Sequence, residues 1–215
     1  MLSCRIFLPH SIIKEWKKMQ KKMVCRICVV VVFLMSSLAQ ANDLNRLFDQ
    51  VEKLKIERHG YILGAALNQE QMKTAASNPI DASSLDTFKF KDKNVNIVAQ
   101  ETSNRVLIIY EQFEDATQQE IQNIVGDLYM NFDDPTVLAH DKVVYWAYTK
   151  KGIITSKEFD TARQDRKKLD ILATVKFISD IHIMEKIKDS GPATGQIYYI
   201  ISSDPILKRF KDQKI

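Results

Sequence analysis

The apolar positions of this chain change period along its length, and each change marks an expected element. Between Asn42 and Arg58, Leu44, Leu47, Phe48, Val51 and Leu54 recur every three or four residues among charges. This is the stripe of an amphipathic helix, and Gly60 stands where its stop belongs. Tyr61–Ala76 reads as a second helix whose stripe fades after Gly64, and Ser77–Ser84 has the composition of a loop.

Period two follows. Thr87–Lys91 alternates as TFKFK, Val95–Val98 is a short strand pattern, and Thr102-Ser103-Asn104 leads as a turn into the apolar run Val106–Tyr110. Strands joined by so few residues pair antiparallel. The clearest helix is Thr117–Phe132. Thr117 and Glu120 have capping-box spacing, and Ile121, Ile124, Val125, Leu128, Tyr129 and Phe132 form one stripe that ends at Asp133-Asp134-Pro135.

Lys142–Lys150 (KVVYWAYTK) places Val144, Trp146 and Tyr148 on one face of a strand and Val143, Tyr145 and Ala147 on the other. With few polar residues on either face, it reads as a central strand or one covered on both sides. Ser156–Lys168 reads as a solvent-facing helix capped by Ser156. Asp170–Met184 fits period two better than a helix: Ile171, Ala173, Val175, Phe177, Ile181 and Ile183 share a face with Ser179, so one long strand is expected. A loop at Lys188–Gly195, a strand at Gln196–Ser202 and a short helix opened by Asp204-Pro205 complete the pattern. The order α(α)–ββ–α–β–α–ββ–α contains more hairpins than crossovers. It predicts an α+β class: a mainly antiparallel sheet with helices packed on one side, after a cleaved signal segment and an N-terminal helix.

The signal segment shows in the run ICVVVVFLM at Ile27–Met35, which follows Lys21, Lys22 and Arg26 and precedes Ser36, Ser37 and Ala39-Gln40-Ala41. A basic stretch, a short apolar core and small residues before a cut form the layout of a secretory leader. Nine to twelve helical residues reach about 14–18 Å, too short for a hydrocarbon core of about 30 Å. Cleavage between Ala41 and Asn42 is expected, with Ala39 and Ala41 as the small residues. Residues 1–41 are then a removed signal peptide with an extended basic region, the translation start lies nearer Met19 or Met23, and 42–215 form a single α+β domain. The expected location is the periplasm, with membrane contact only during export.

Removing the leader changes the composition. The chain holds 31 Lys+Arg and 27 Asp+Glu, but residues 1–41 hold seven of the bases and only Glu15 among the acids. What remains has 24 bases and 26 acids, a net charge of −2. No excess of positive charge is left to attract a nucleic acid. Cys4, Cys25 and Cys28 also lie in the leader, so the remaining domain has no disulfide, thiolate ligand or thiol nucleophile. About 174 residues nonetheless suffice for one unstapled core.

Candidate chemistry is sparse. His59, His140 and His182 survive removal of the leader. His59 is expected at a helix C-terminus, where an imidazolium is favoured. His140 lies near Asp133, Asp134 and Asp141, but the spacing and the missing glycine do not match a calcium loop, and no metal site is assigned. His182 shares the polar face of its strand with Asp180 and Lys176, and a general base there needs a nucleophile that cannot be placed from sequence. After Ala41 no G-x-S-x-G, S-x-x-K, G-x-G-x-x-G or Walker loop occurs, and no cofactor is expected. Tyr145, Trp146, Tyr148, Tyr198 and Tyr199 fall on two strands; if these are neighbours, one aromatic set lies under the helices and the other faces outward. The leading expectation is a noncatalytic envelope domain that binds a partner protein or small ligand through its sheet surface. The alternatives are an envelope hydrolase using His140 or His182 with acids such as Asp180, and a ligand cup lined by the aromatics.

Overall fold

The period-two segments pair into one antiparallel sheet. The computed structural model describes residues 43–81, 86–184 and 194–212. In chain order the strands are β1 (Glu57–Arg58), β2 (Tyr61–Ile62), β3 (Pro79–Ile80), β4 (Thr87–Asp92), β5 (Val95–Gln100), β6 (Val106–Thr117), β7 (Val137–Ala139), β8 (Val143–Thr149), β9 (Gly152–Ile153), β10 (Ala173–Ser179) and β11 (Thr194–Ser202). β1 and β2 form a separate ribbon. The others run in the order β3-β4-β5-β6-β11-β10-β8-β7, with β9 also paired to β8. Every pairing is antiparallel. The helices are α1 (43–52), α2 (Gln69–Ser77), α3 (Gln118–Phe132), α4 (Ser156–Gln164) and α5 (Asp204–Asp212). The α+β class expected from the pattern is the class observed, and the described residues from Leu44 onward form one compact unit. Among the described residues, no helix is long and apolar enough to cross a membrane.

Directly paired residues of an antiparallel sheet point to the same face, so the registers define rows across it. Trp146, Val175, Ile201, Ile109, Ile97 and Phe90 form one such row, and all are buried. Tyr129 and Phe132 of α3 pack on Trp146 with ring centroids 5.9 Å away, so this inner face lies under α3. Ile121, Val125 and Leu128 of the expected stripe are buried with it.

Both long edges end in short strands, which limits pairing with other chains. β3 has two residues, one of them Pro79. β7 and β9 share the outer edge of β8, opposite Val143–Tyr145 and Tyr148–Thr149. Between them, the Ala147 N–H donates to Thr136 Oγ1 at 2.9 Å. That hydroxyl donates to Ile154 O at 2.6 Å, so a side chain completes the ladder where no strand does.

Several local expectations are corrected. The first helix ends at residue 52 rather than Arg58, because His59 and Gly60, both with positive φ, form the two-residue turn of the β1–β2 hairpin. This is the conformation such a turn requires, and it puts Gly60 to a use other than a helix stop. The second helix begins only at Gln69, with Asn68 as cap, and Tyr61 lies in a strand. Thr155, not Ser156, caps α4. Ser203 Oγ accepts from Ile206 N–H ahead of the last helix, one residue before the cap expected at Asp204. β10 stops at Ser179, and the segment beyond it turns back onto the β7–β8 loop through Ile183 N–H to Asp141 O. β8 is a penultimate strand, covered at its edge by β7 and β9. The signal segment 1–41 with its cleavage residues Ala39, Ala41 and Asn42, and most of the loop expected at 188–195, lie outside the described residues.

Candidate functional site

The sheet presents three polar clusters. The first is on the inner face, where Val144, Phe177, Tyr199, Glu111, Val95 and Asp92 form a row adjacent to the apolar one. Glu111 is only 1 % exposed. Burying a carboxyl group is costly unless partners replace its water. The β1–β2 ribbon supplies them. Arg58 Nε and Nη2 donate to Glu111 Oε2 at 3.0 and 2.7 Å, and His59 Nε2 meets Oε1 at 2.7 Å. From the same ribbon, the Tyr61 hydroxyl donates to Asp92 at 2.9 Å. The Arg58 guanidinium lies 5.0 Å from the centroid of the Tyr199 ring. The Tyr199 hydroxyl is buried without a hydrogen-bond partner among the described residues. Burial is the main cause that pushes its pKa well up; Arg58 opposes the rise, and Glu111 adds to it.

His59 therefore does not cap a helix; it closes a clasp on the sheet. No motif in the sequence marks Glu111. Its signal was parity: β6 runs to Thr117, and within it Leu107, Ile109 and Glu111 alternate onto the inner face. The strand expected from sequence stopped at Tyr110, one residue short.

The second cluster is the loop that holds His140 and Asp141, both with positive φ, between β7 and β8. His182 Nδ1 lies 3.6 Å from Asp141 Oδ2. The Asp141 carboxylate accepts from Met184 N–H at 3.1 Å, and Lys142 Nζ donates to Asp180 O at 2.6 Å. The Asp180 carboxylate accepts from Gln196 N–H at 2.8 Å. Of the predicted residues, His182 and Asp141 come together. His140 is exposed, and Asp180 is engaged by β11. The contacts clasp residues 179–184 to the hairpin loop. Among the described residues, no group of three His, Cys, Asp or Glu is arranged to hold a metal ion.

The third cluster is on the outer face. Tyr145, Lys176, Ile200, Tyr110, Asn96 and Lys91 form one row across six strands. Ile178, Tyr198 and Gln112 lie beside it. Tyr145, Lys176, Ile200, Tyr110, Tyr198 and Ile178 are all half-buried. Lys176 Nζ sits 5.5 Å from the Tyr145 ring centroid, and Lys89 Nζ 5.1 Å from that of Tyr110. Burial raises the Tyr145 pKa, with a further push from Asp204.

The aromatic candidates thus divide by face. Trp146 and Tyr199 are buried inside. Tyr148 shares their face and is half-buried, its pKa pushed up to about 12 by burial and by Asp133. Tyr145 and Tyr198 belong to the outer row and its neighbour. The fold and its clusters define an α+β domain with a broad antiparallel sheet, one face packed under α3 and the other carrying half-buried tyrosine, lysine and aliphatic side chains beside a buried row, Ala147–Thr174–Ser202. No protein-family model, curated protein or solved structure matches this chain.

Proposed function

We propose that the chain is exported with removal of residues up to Ala41, and that the remaining domain is a noncatalytic binding module of the periplasm. It receives its partner on the outer face of the sheet. The observation that carries this reading is the row Tyr145–Lys176–Ile200–Tyr110–Asn96, flanked by Tyr198 and Ile178. Tyrosines that are neither fully buried nor fully solvated, set among aliphatic side chains, supply large contact area at low entropic cost. The histidines support the same reading in a second way. His59 meets Glu111 at 2.7 Å, His182 lies 3.6 Å from Asp141 in the loop clasp, and His140 is exposed.

The test is copurification. The full chain, tagged at its C-terminus, is expressed in an exporting cell and recovered from envelope extract. A stoichiometric partner is expected with the wild type and is lost with Tyr110→Ala/Tyr145→Ala/Tyr198→Ala. Trp146 is the sole tryptophan after Ala41, and its fluorescence reports whether that variant retains the inner-face packing. Recovery of the wild type alone, or equal recovery of the partner with the folded variant, contradicts the reading.

A further inference from the structure

Resting on that reading, we infer that the outer face recognises an extended acidic segment of a protein partner. Lys89 and Lys176 are half-buried, each ammonium lies over a tyrosine ring, and neither has a carboxylate partner among the described residues. A cation–π contact attracts an ammonium without neutralising it. The positive charge of both groups therefore remains to be complemented. Lys91 adds a third cation in the same row as Lys176.

The acids of this face sit at its margins, and two of the three are already engaged. Glu114 accepts from Gln112, Asp180 accepts from Gln196 N–H, and Asp204 lies beside Tyr145. Between them the central rows carry Ile200, Ile178, Tyr110, Tyr198 and Asn96 and no carboxylate. The complementary ligand is therefore anionic at two separated points and apolar between them. Lys89 on β4 and Lys176 on β10 are four strand spacings apart, about 19 Å at the usual separation. A strand-like peptide covers that distance in about six residues. Like charge across the face also repels basic segments, which gives selectivity as well as attraction.

The experiment uses the exported protein purified from cells expressing the full chain. Three probes are titrated by fluorescence anisotropy at low salt: a labelled peptide with Glu at both ends of a five-residue Val/Thr stretch, the matched peptide with Gln at both ends, and oligothymidylate. Vesicles of phosphatidylglycerol are tested by co-sedimentation. The Glu peptide is expected to bind, to weaken with added salt, and to lose about tenfold in affinity in Lys89→Glu/Lys176→Glu. Lys157→Glu on α4 leaves the affinity unchanged. Equal binding of the Gln peptide, or undiminished binding in the folded double variant, overturns the acidic-segment inference. So does no binding of the Glu peptide, or tighter binding of oligothymidylate or the vesicles. The sheet-face reading fails separately, when the triple tyrosine variant keeps its copurified partner.

Discussion

Arg58 on the β1–β2 ribbon donates two hydrogen bonds to a single oxygen of Glu111, which lies buried in the middle of the sheet. Removing one member of such a pair strands the other, whereas replacing both by apolar groups removes the desolvation cost altogether. Arg58→Met is therefore expected to destabilise the fold by about 3 kcal/mol in urea unfolding, since Glu111 is left with His59 alone. Arg58→Met/Glu111→Leu should recover most of that loss. A double variant no more stable than Arg58→Met would show that the pair does not act as a unit.

The edge of β8 offers an independent test. Thr136 satisfies the Ala147 N–H and Ile154 carbonyl with one hydroxyl, at a site only 1 % exposed. Thr136→Val keeps the shape and orphans both backbone groups, for an expected loss of about 2 kcal/mol. Thr136→Ser keeps the hydroxyl and should lose clearly less. Equal unfolding midpoints for the two variants would contradict the bridging role.

Two glycines should respond in opposite directions. A Cβ at Gly126 in α3 would meet nothing within 4 Å, so Gly126→Ala is expected to stabilise by about 0.5–1 kcal/mol through helix propensity. A Cβ at Gly195 would collide with the Asp180 carboxylate and lie 2.8 Å from Ile181 Cγ1. Gly195→Ala should destabilise by about 1–3 kcal/mol. Thermal midpoints of the two single variants decide both expectations.

Acid should loosen two helix starts. The Thr117 and Thr155 N–H and hydroxyl groups hold the Glu120 and Glu158 carboxylates below the ordinary range, backbone bonds first. A depressed carboxylate contributes stability above its unfolded pKa and loses it as pH falls through the folded value. The loss therefore belongs below about pH 4.5. Glu120→Gln/Glu158→Gln preserves both caps without a titrating group. The stability difference between wild type and this variant should shrink as the pH is lowered from 6 to 3. A constant difference across that range would remove the carboxylates from the account.

Local order was legible in the sequence wherever one periodicity ran unbroken. The Thr117–Glu120 capping box, the α3 stripe, the Thr102–Asn104 turn and the alternation of β4 and β10 all appear at or near their expected positions. The division of the aromatics into two faces followed from parity, although the two aromatic strands, β8 and β11, are not neighbours, since β10 separates them. What escaped was set by partners distant in sequence. Charged residues from Glu111 to Asp115 disguised the second half of β6, because a carboxylate at an inner position is intelligible only with Arg58 in place. The turn at His59-Gly60 resembled a helix stop, since glycine serves both purposes. The outer-face row joins residues 96, 110, 145, 176 and 200, an adjacency created by the insertion of β11 between β6 and β10.

Site-specific photo-crosslinking in living cells shows whether a partner sits on that row. A photoreactive phenylalanine derivative is placed singly at Tyr110, Tyr198, Leu138 or Lys157. Tyr110 and Tyr198 sample the outer face, Leu138 the exposed edge strand β7, and Lys157 the surface of α4. The expected result is one discrete adduct of the same mass at Tyr110 and Tyr198, absent at Leu138 and Lys157. An adduct at Leu138 or Lys157, with none at the two tyrosines, would contradict the account.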